Sequence, residues 1–115
     1  SKWHNINETI RRILECFEVF KEQMGFEISF CGPSQDLVIW DTSLDPQLKT
    51  SALSWILSEL LSNAVRYSGK NRQIKVLLQQ EEKDIQIIIS KAPGLLQFLI
   101  KVFSQMDQSF WMFMQ

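Results

Sequence analysis

Apolar residues early in the chain recur at helical spacing. Ile6, Ile10, Ile13, Leu14, Phe17, Phe20 and Met24 fall on one stripe, so the pattern predicts a single amphipathic helix ending near Met24. Asn5 and Glu8 stand at capping-box spacing at its start, and Gly25 follows its end. Phe26, Ile28 and Phe30 then alternate with Glu27, Ser29 and Cys31, the period of a half-buried strand that Gly32-Pro33-Ser34 breaks. Residues 37–41 read as a second short strand. Asp45-Pro46 predicts the start of a second long helix running to about Tyr67, where Ser68-Gly69 stops it. Its apolar positions Leu48, Ala52, Trp55, Ile56, Leu60 and Val65 form a broad face, so the helix is expected to be largely buried. Residues 73–80 and 84–90 read as strands of a hairpin joined by Glu81-Glu82-Lys83 and ended by Lys91-Ala92-Pro93-Gly94.

Beyond the hairpin, Leu95, Leu96, Leu99, Val102, Phe103, Met106 and Phe110 again recur at helical spacing. So much apolar surface has to be covered. Residues 95–115 are expected to pack as a helix, or to fold back as a helix or strand on the same domain, or to exchange with a second copy and make a homodimer. The element order predicts an α+β fold: a two-layer α/β sandwich whose mixed sheet is covered by helices on one face.

At 115 residues the chain has material for one domain, 1–115, and its 45% apolar content supports a sizeable core, which excludes disordered and fibrous classes. Twelve basic and thirteen acidic residues leave a net charge of −1 with no block of like sign, so the sequence gives no nucleic-acid footprint. Cys16 and Cys31 have no metal-ligand or disulfide-framework spacing and read as buried small hydrophobes in a reducing compartment. Gln97, Lys101, Gln105, Asp107 and Gln108 interrupt the apolar C-terminal stretch, so no membrane span or membrane contact is expected. Opening on Ser1, the chain reads as a piece of a longer protein. His4 reads as a surface histidine near the terminus.

The stretch with chemical content lies late in the second long helix. Glu59 and Asn63 are i and i+4, so a carboxylate and a carboxamide share one side of the helix, with Arg66 and Tyr67 a turn further on. Such a set can hold hydrated Mg²⁺ and a polyphosphate, since Mg²⁺ takes oxygen ligands and keeps several waters. The same spacing also describes an ordinary solvated helix face.

The decapeptide from Glu59 to Ser68, Glu-Leu-Leu-Ser-Asn-Ala-Val-Arg-Tyr-Ser, resembles the N box of the GHKL (Bergerat-fold) ATPases, and most closely that of the catalytic ATP-binding domain of sensor histidine kinases. The preceding amphipathic helix, the short strand near Asp41, the Asp-Pro-x-x-Leu segment and the hairpin fit the same family. The resemblance implies that Asn63 coordinates Mg²⁺, that Glu59 orients a water on the metal, that Arg66 approaches the phosphates and that Tyr67 lines the nucleotide. The implied activity is transfer of the ATP γ-phosphoryl to a histidine on another domain or chain, with a histidine-containing dimerisation domain and a response regulator as partners.

The family's Asp-x-Gly-x-Gly corresponds here to Ser90-Lys91-Ala92-Pro93-Gly94-Leu95, with Ser90 in place of the aspartate and only Gly94 of the glycines kept. Ser90 and Gly94 would line the adenine side. Loss of the carboxylate acceptor costs about 1–3 kcal/mol, or roughly ten- to hundred-fold in affinity. Phe98, Phe103, Asp107 and Phe110 are similar to the aromatic segment of the ATP lid, but no later Gly-x-Gly-x-Gly follows. The competing expectation is therefore a degenerate, nucleotide-free domain that serves as a dimerisation or regulatory interaction module.

Overall fold

In a computed structural model, which describes residues 2–41, 43–45, 50–66, 72–82, 84–92, 97–104 and 109–114, the chain runs β1 (Lys2–Asn5), α1 (Ile6–Glu18), α2 (Lys21–Met24), β2 (Phe26–Cys31), β3 (Val38–Asp41), β4 (Ser43–Asp45), β5 (Thr50–Ser51), α3 (Ala52–Arg66), β6 (Arg72–Glu81), β7 (Asp84–Ala92), β8 (Gln97–Ser104) and β9 (Ser109–Met114). The main sheet has five strands in the order β2-β6-β7-β8-β9. It is mixed: β2 lies parallel to β6, and the other neighbours are antiparallel. Helices α1 and α3 bury Ile6, Ile10, Leu14, Leu53, Leu57, Leu61, Ala64 and Val65 against Ile74, Val76, Leu78, Ile85, Ile87, Ile89 and Ile100 of the sheet. This is the expected two-layer α+β sandwich.

Local chemistry explains the helix start. The Asn5 side chain accepts the Glu8 amide at 3.0 Å, so the orphan donors of the first turn of α1 are partly satisfied. Asn5 also ends β1, which pairs antiparallel with β3 and brings His4 opposite Ile39. The single helix expected to reach Met24 is divided. The chain turns at Val19 and Phe20, with the Phe20 amide on the Phe17 carbonyl at 3.0 Å, and a separate short α2 follows. The cause is the lack of a layer to cover: Val19 is 74% exposed and Phe20 and Met24 are also exposed, so the end of the stripe gains nothing from continuing in register. Lys21 and Glu18 form an ion pair at 3.2 Å across the break, and its hydrogen bond and charge hold the Lys21 ammonium above the usual lysine range. Gly25 closes α2 in the left-handed conformation at φ 69° and sends the chain into β2.

Three further expectations are corrected. The second long helix does not start at Asp45, because Asp45 pairs across to Thr50 in the small β4–β5 ladder and the helix begins at Ala52; Pro46 and Leu48 lie outside the described residues. Of the expected buried face Ala52 and Val65 are buried, but the rest of the buried side is Leu53, Leu57, Leu61 and Ala64; Trp55 is 53% exposed, and Ile56 and Leu60 pack at the margin. Cys16 and Cys31 are both exposed free thiols. Cys31 alternates with the core-facing Phe30, which puts it on the outer face of the sheet.

The hairpin forms where it is expected but is longer: Glu81 pairs with Asp84, Lys91 and Ala92 continue β7 opposite Ile74 and Gln73, and Glu82 lies at φ 43° in the tight loop. After it, the chain folds back on the same domain, as expected, but as two strands and not as the helix that its spacing suggests. Residues 97–104 pair with β7, placing Ile100 opposite Ile87 in the core, and residues 109–114 pair in turn with β8. A run this rich in apolar residues fits either period, and the unsatisfied edge of β7 decides in favour of strand. Among the described residues, no helix is long and apolar enough to cross a membrane.

Candidate functional site

The residues of the decapeptide take their positions from the burial of α3. Leu57 and Leu61 point into the core, so Glu59, two positions from each, is carried to the side away from the sheet and is exposed. Asn63 lies one turn beyond Glu59 and is half-buried on the flank of the helix. Arg66, the last helical residue, is exposed. The structure therefore brings Glu59, Asn63 and Arg66 together along two turns of α3. Tyr67 and Gly94 lie outside the described residues.

Ser90 is not on that side of the molecule. In β7 it is half-buried and stands opposite Lys75 and Gln97, whereas its neighbour Ile89 stands opposite Val76 in the core. Cross-strand partners share a face, so Ser90 belongs to the sheet face away from α1 and α3, and Lys91, opposite Ile74, belongs to the helix-covered face.

The chemistry of the donor set suits a metal that arrives with phosphate. Among the described residues, no group of three or more His, Cys, Asp or Glu could cage an ion. One carboxylate and one carboxamide oxygen are the kind of partial ligand set that Mg²⁺ accepts, because it keeps waters and takes phosphate oxygens for the rest. Neither Glu59 nor Asn63 lines the cavity of about 500 Å³ that opens at the start of β2 and β6, whose walls include Lys21, Glu22, Gly25, Phe26 and Arg72.

Two buried polar residues tie elements together at opposite ends of β2 without standing out in the sequence. Asn7 is fully buried in the first turn of α1, and Arg72, 6% exposed, opens β6 with its guanidinium donating through Nη1 to the Val65 carbonyl of α3. A signal for Arg72 existed: it precedes Ile74, Val76 and Leu78 at the core parity of the strand.

No protein-family model matches the sequence, and no curated protein matches it. Solved structures do. The catalytic domain of histidine kinase ThkA, in a nucleotide-free form, superposes with a TM-score of 0.68 at 20% identity over 81% of this chain and 59% of that one. Acinetobacter baumannii histidine kinase AdeS gives 0.62 at 14% identity over 97% of this chain and 64% of that one. ThkA in complex with the response regulator TrrA gives 0.65 at 20% identity over 81% of this chain and 26% of that one. The chain thus spans less than two thirds of the length of each of these kinase chains. With its mixed sheet under α1 and α3, it has the fold of histidine-kinase catalytic domains, the GHKL-like fold that its decapeptide implies.

Proposed function

We propose that this chain is a histidine-kinase-type nucleotide domain that binds ATP with Mg²⁺ through the exposed turns of α3. One observation carries the reading: Glu59, Asn63 and Arg66 sit in sequence along the part of α3 that the core does not use, on a fold shared with histidine-kinase catalytic domains. Asn63 supplies an oxygen to the metal, Glu59 orients a metal-bound water and Arg66 neutralises phosphate charge. Mg²⁺ when bound supplies Lewis-acid stabilisation of the phosphates. Positioning and charge neutralisation are the main demands of phosphoryl transfer, so these three residues carry the chemistry that the chain contributes. The γ-phosphoryl acceptor in this reading is a histidine on another domain or chain, with a response regulator downstream and a cytoplasmic location. Ser90 faces the other side of the sheet, so the adenine end is held weakly.

Titration of the chain with ATP and Mg²⁺, followed by amide chemical shifts, tests this. The expected result is a weak, Mg²⁺-dependent response centred on Asn63 and Arg66 that Asn63→Ala removes. Sub-micromolar affinity unchanged by Asn63→Ala would contradict the assignment.

A specific observation favours a second reading. Phe98, Phe103 and Phe110, the aromatic positions similar to an ATP lid, are paired into the sheet as parts of β8 and β9 and do not belong to a segment able to close over a polyphosphate. In that reading the fold persists as an interaction or dimerisation module, and the same titration at millimolar nucleotide leaves every amide signal unmoved.

A further inference from the structure

The residue that opens β6 touches three elements. The Arg72 backbone amide donates to the Gly25 carbonyl at 3.3 Å, its position pairs with Phe26 at the start of β2, and its guanidinium reaches back seven residues to the Val65 carbonyl in the last turn of α3. The residue is 6% exposed, so this donor is committed inside the protein and does not serve as a surface charge.

The partner it takes is chemically apt. The last four carbonyls of a helix have no intrahelical donor, and they form the negative end of the helix dipole. Because α3 ends at Arg66, the Val65 carbonyl belongs to that set. A guanidinium there donates to one of these helix-end carbonyls, and its planar fork fixes direction as well as distance. The turn it grips is the one that carries Asn63 and Arg66, both within two residues of Val65.

We propose that Arg72 is a positioning residue that sets the orientation of the final turn of α3, and through it the placement of Asn63 and Arg66. Its effect on nucleotide rests on the ATP·Mg²⁺ reading; its effect on the turn does not. Truncating the guanidinium takes that donor away from the Val65 carbonyl and loosens its hold on the last turn of α3. A lysine keeps the charge and one donor but loses the fork, so it restores the turn in part.

The test compares wild-type chain, Arg72→Met and Arg72→Lys by amide spectra, first without ligand and then in a titration with ATP and Mg²⁺. In Arg72→Met the signals of residues 63–66 should move while those of Ile10 and Leu14 in α1 stay in place, and the Mg·ATP dissociation constant should rise about tenfold, with Arg72→Lys recovering most of that loss. Signals of residues 63–66 that superpose on wild type overturn the proposal, as does unchanged nucleotide affinity in a variant whose wild type binds. A wild-type chain that shows no nucleotide response defeats the ATP·Mg²⁺ reading alone, and the ligand-free spectra still decide for or against the clamp. Should Arg72→Met fail to fold, the wild-type chain suffices: Overhauser contacts from the Arg72 Nη protons to the Val65 and Arg66 amides are expected, and a guanidinium averaging freely in water overturns the assignment.

Discussion

The Asn7 side-chain oxygen accepts the Leu37 amide at 2.9 Å, while the Leu37 carbonyl accepts the Ile6 amide at 2.8 Å, so the start of α1 and the end of the 32–37 loop are bonded reciprocally. The Asn7 amide nitrogen reaches the Pro33 carbonyl at 3.4 Å. Because Asn7 is fully buried, these partners replace water entirely. Asn7→Leu keeps an approximate volume but strands the Leu37 amide, which costs about 1–3 kcal/mol for an unsatisfied buried donor. Chemical denaturation should report a loss of that size, and a variant as stable as wild type would show that water fills the role.

Gly25 is the second backbone-critical position. At φ 69° it occupies a region where a Cβ meets the following carbonyl, and its own carbonyl receives the Arg72 amide. Gly25→Ala should lower stability by about 1–2 kcal/mol. A melting temperature equal to wild type would mean that the α2–β2 junction relaxes to a different turn.

The two faces of α3 predict contrasting substitutions. Leu61 is 1% exposed and lies in the core, so Leu61→Ala should cost about 2–5 kcal/mol. Trp55 is 53% exposed, and Trp55→Ala should stay within about 0.5 kcal/mol of wild type despite the larger side chain removed. Equal losses at both positions would put Trp55 against a surface not seen in the fold.

That contrast shows what the sequence makes legible. The β6–β7 hairpin and β2 were readable because alternation over several residues admits one period, and the decapeptide was readable because its residue types are specific. Trp55 was misplaced because its apolar character was counted without its helical neighbours: Ser58, Glu59 and Ser62, three, four and seven positions on, put it on the polar side of α3, with Ile56 and Leu60 at the margin of the buried side. Residues 97–114 were left between helix and strand because their apolar content satisfies both periods, and the choice lay with a distant edge strand. Local propensity at Asp45-Pro46 yielded to pairing between Asp45 and Thr50. Asn7 was missed because its value lies in the Leu37 amide, a partner that no pattern reveals, whereas strand parity marks Arg72 as inward-facing and only its partner, the Val65 carbonyl, is hidden from the sequence.

Ser90 stands where the resemblance expects an aspartate, yet it shares a sheet face with Lys75 and not with α3. Ser90→Asp should therefore change Mg·ATP affinity by less than about twofold, since a carboxylate on the opposite face of the sheet makes no hydrogen bond to a nucleotide held at α3. Calorimetry on the variant is the check. A tenfold gain would show that β7 shifts register by one residue when nucleotide binds, because one residue is what exchanges the two faces.

The last prediction concerns β8 and β9. Ile100 is fully buried opposite Ile87, and β8 pairs with β7 from Gln97 opposite Ser90 to Phe103 opposite Asp84. Removing residues 97–115 would uncover a ladder of β7 backbone donors and acceptors beside Ile85, Ile87 and Ile89, which are buried in the intact chain. Loss of one such isoleucine contact costs about 2–5 kcal/mol, and a whole domain has only about 5–15 kcal/mol of stability. An open edge with apolar neighbours is also a template for intermolecular pairing. The truncated protein should thus unfold or aggregate, whereas Ile100→Ala should remain folded and destabilised. Size-exclusion chromatography of the intact chain over a range of concentrations asks in addition whether the two strands exchange between copies. A truncation that stays monomeric and melts with the full chain would show that the sheet ends at β7 and that residues 97–114 add nothing to the fold.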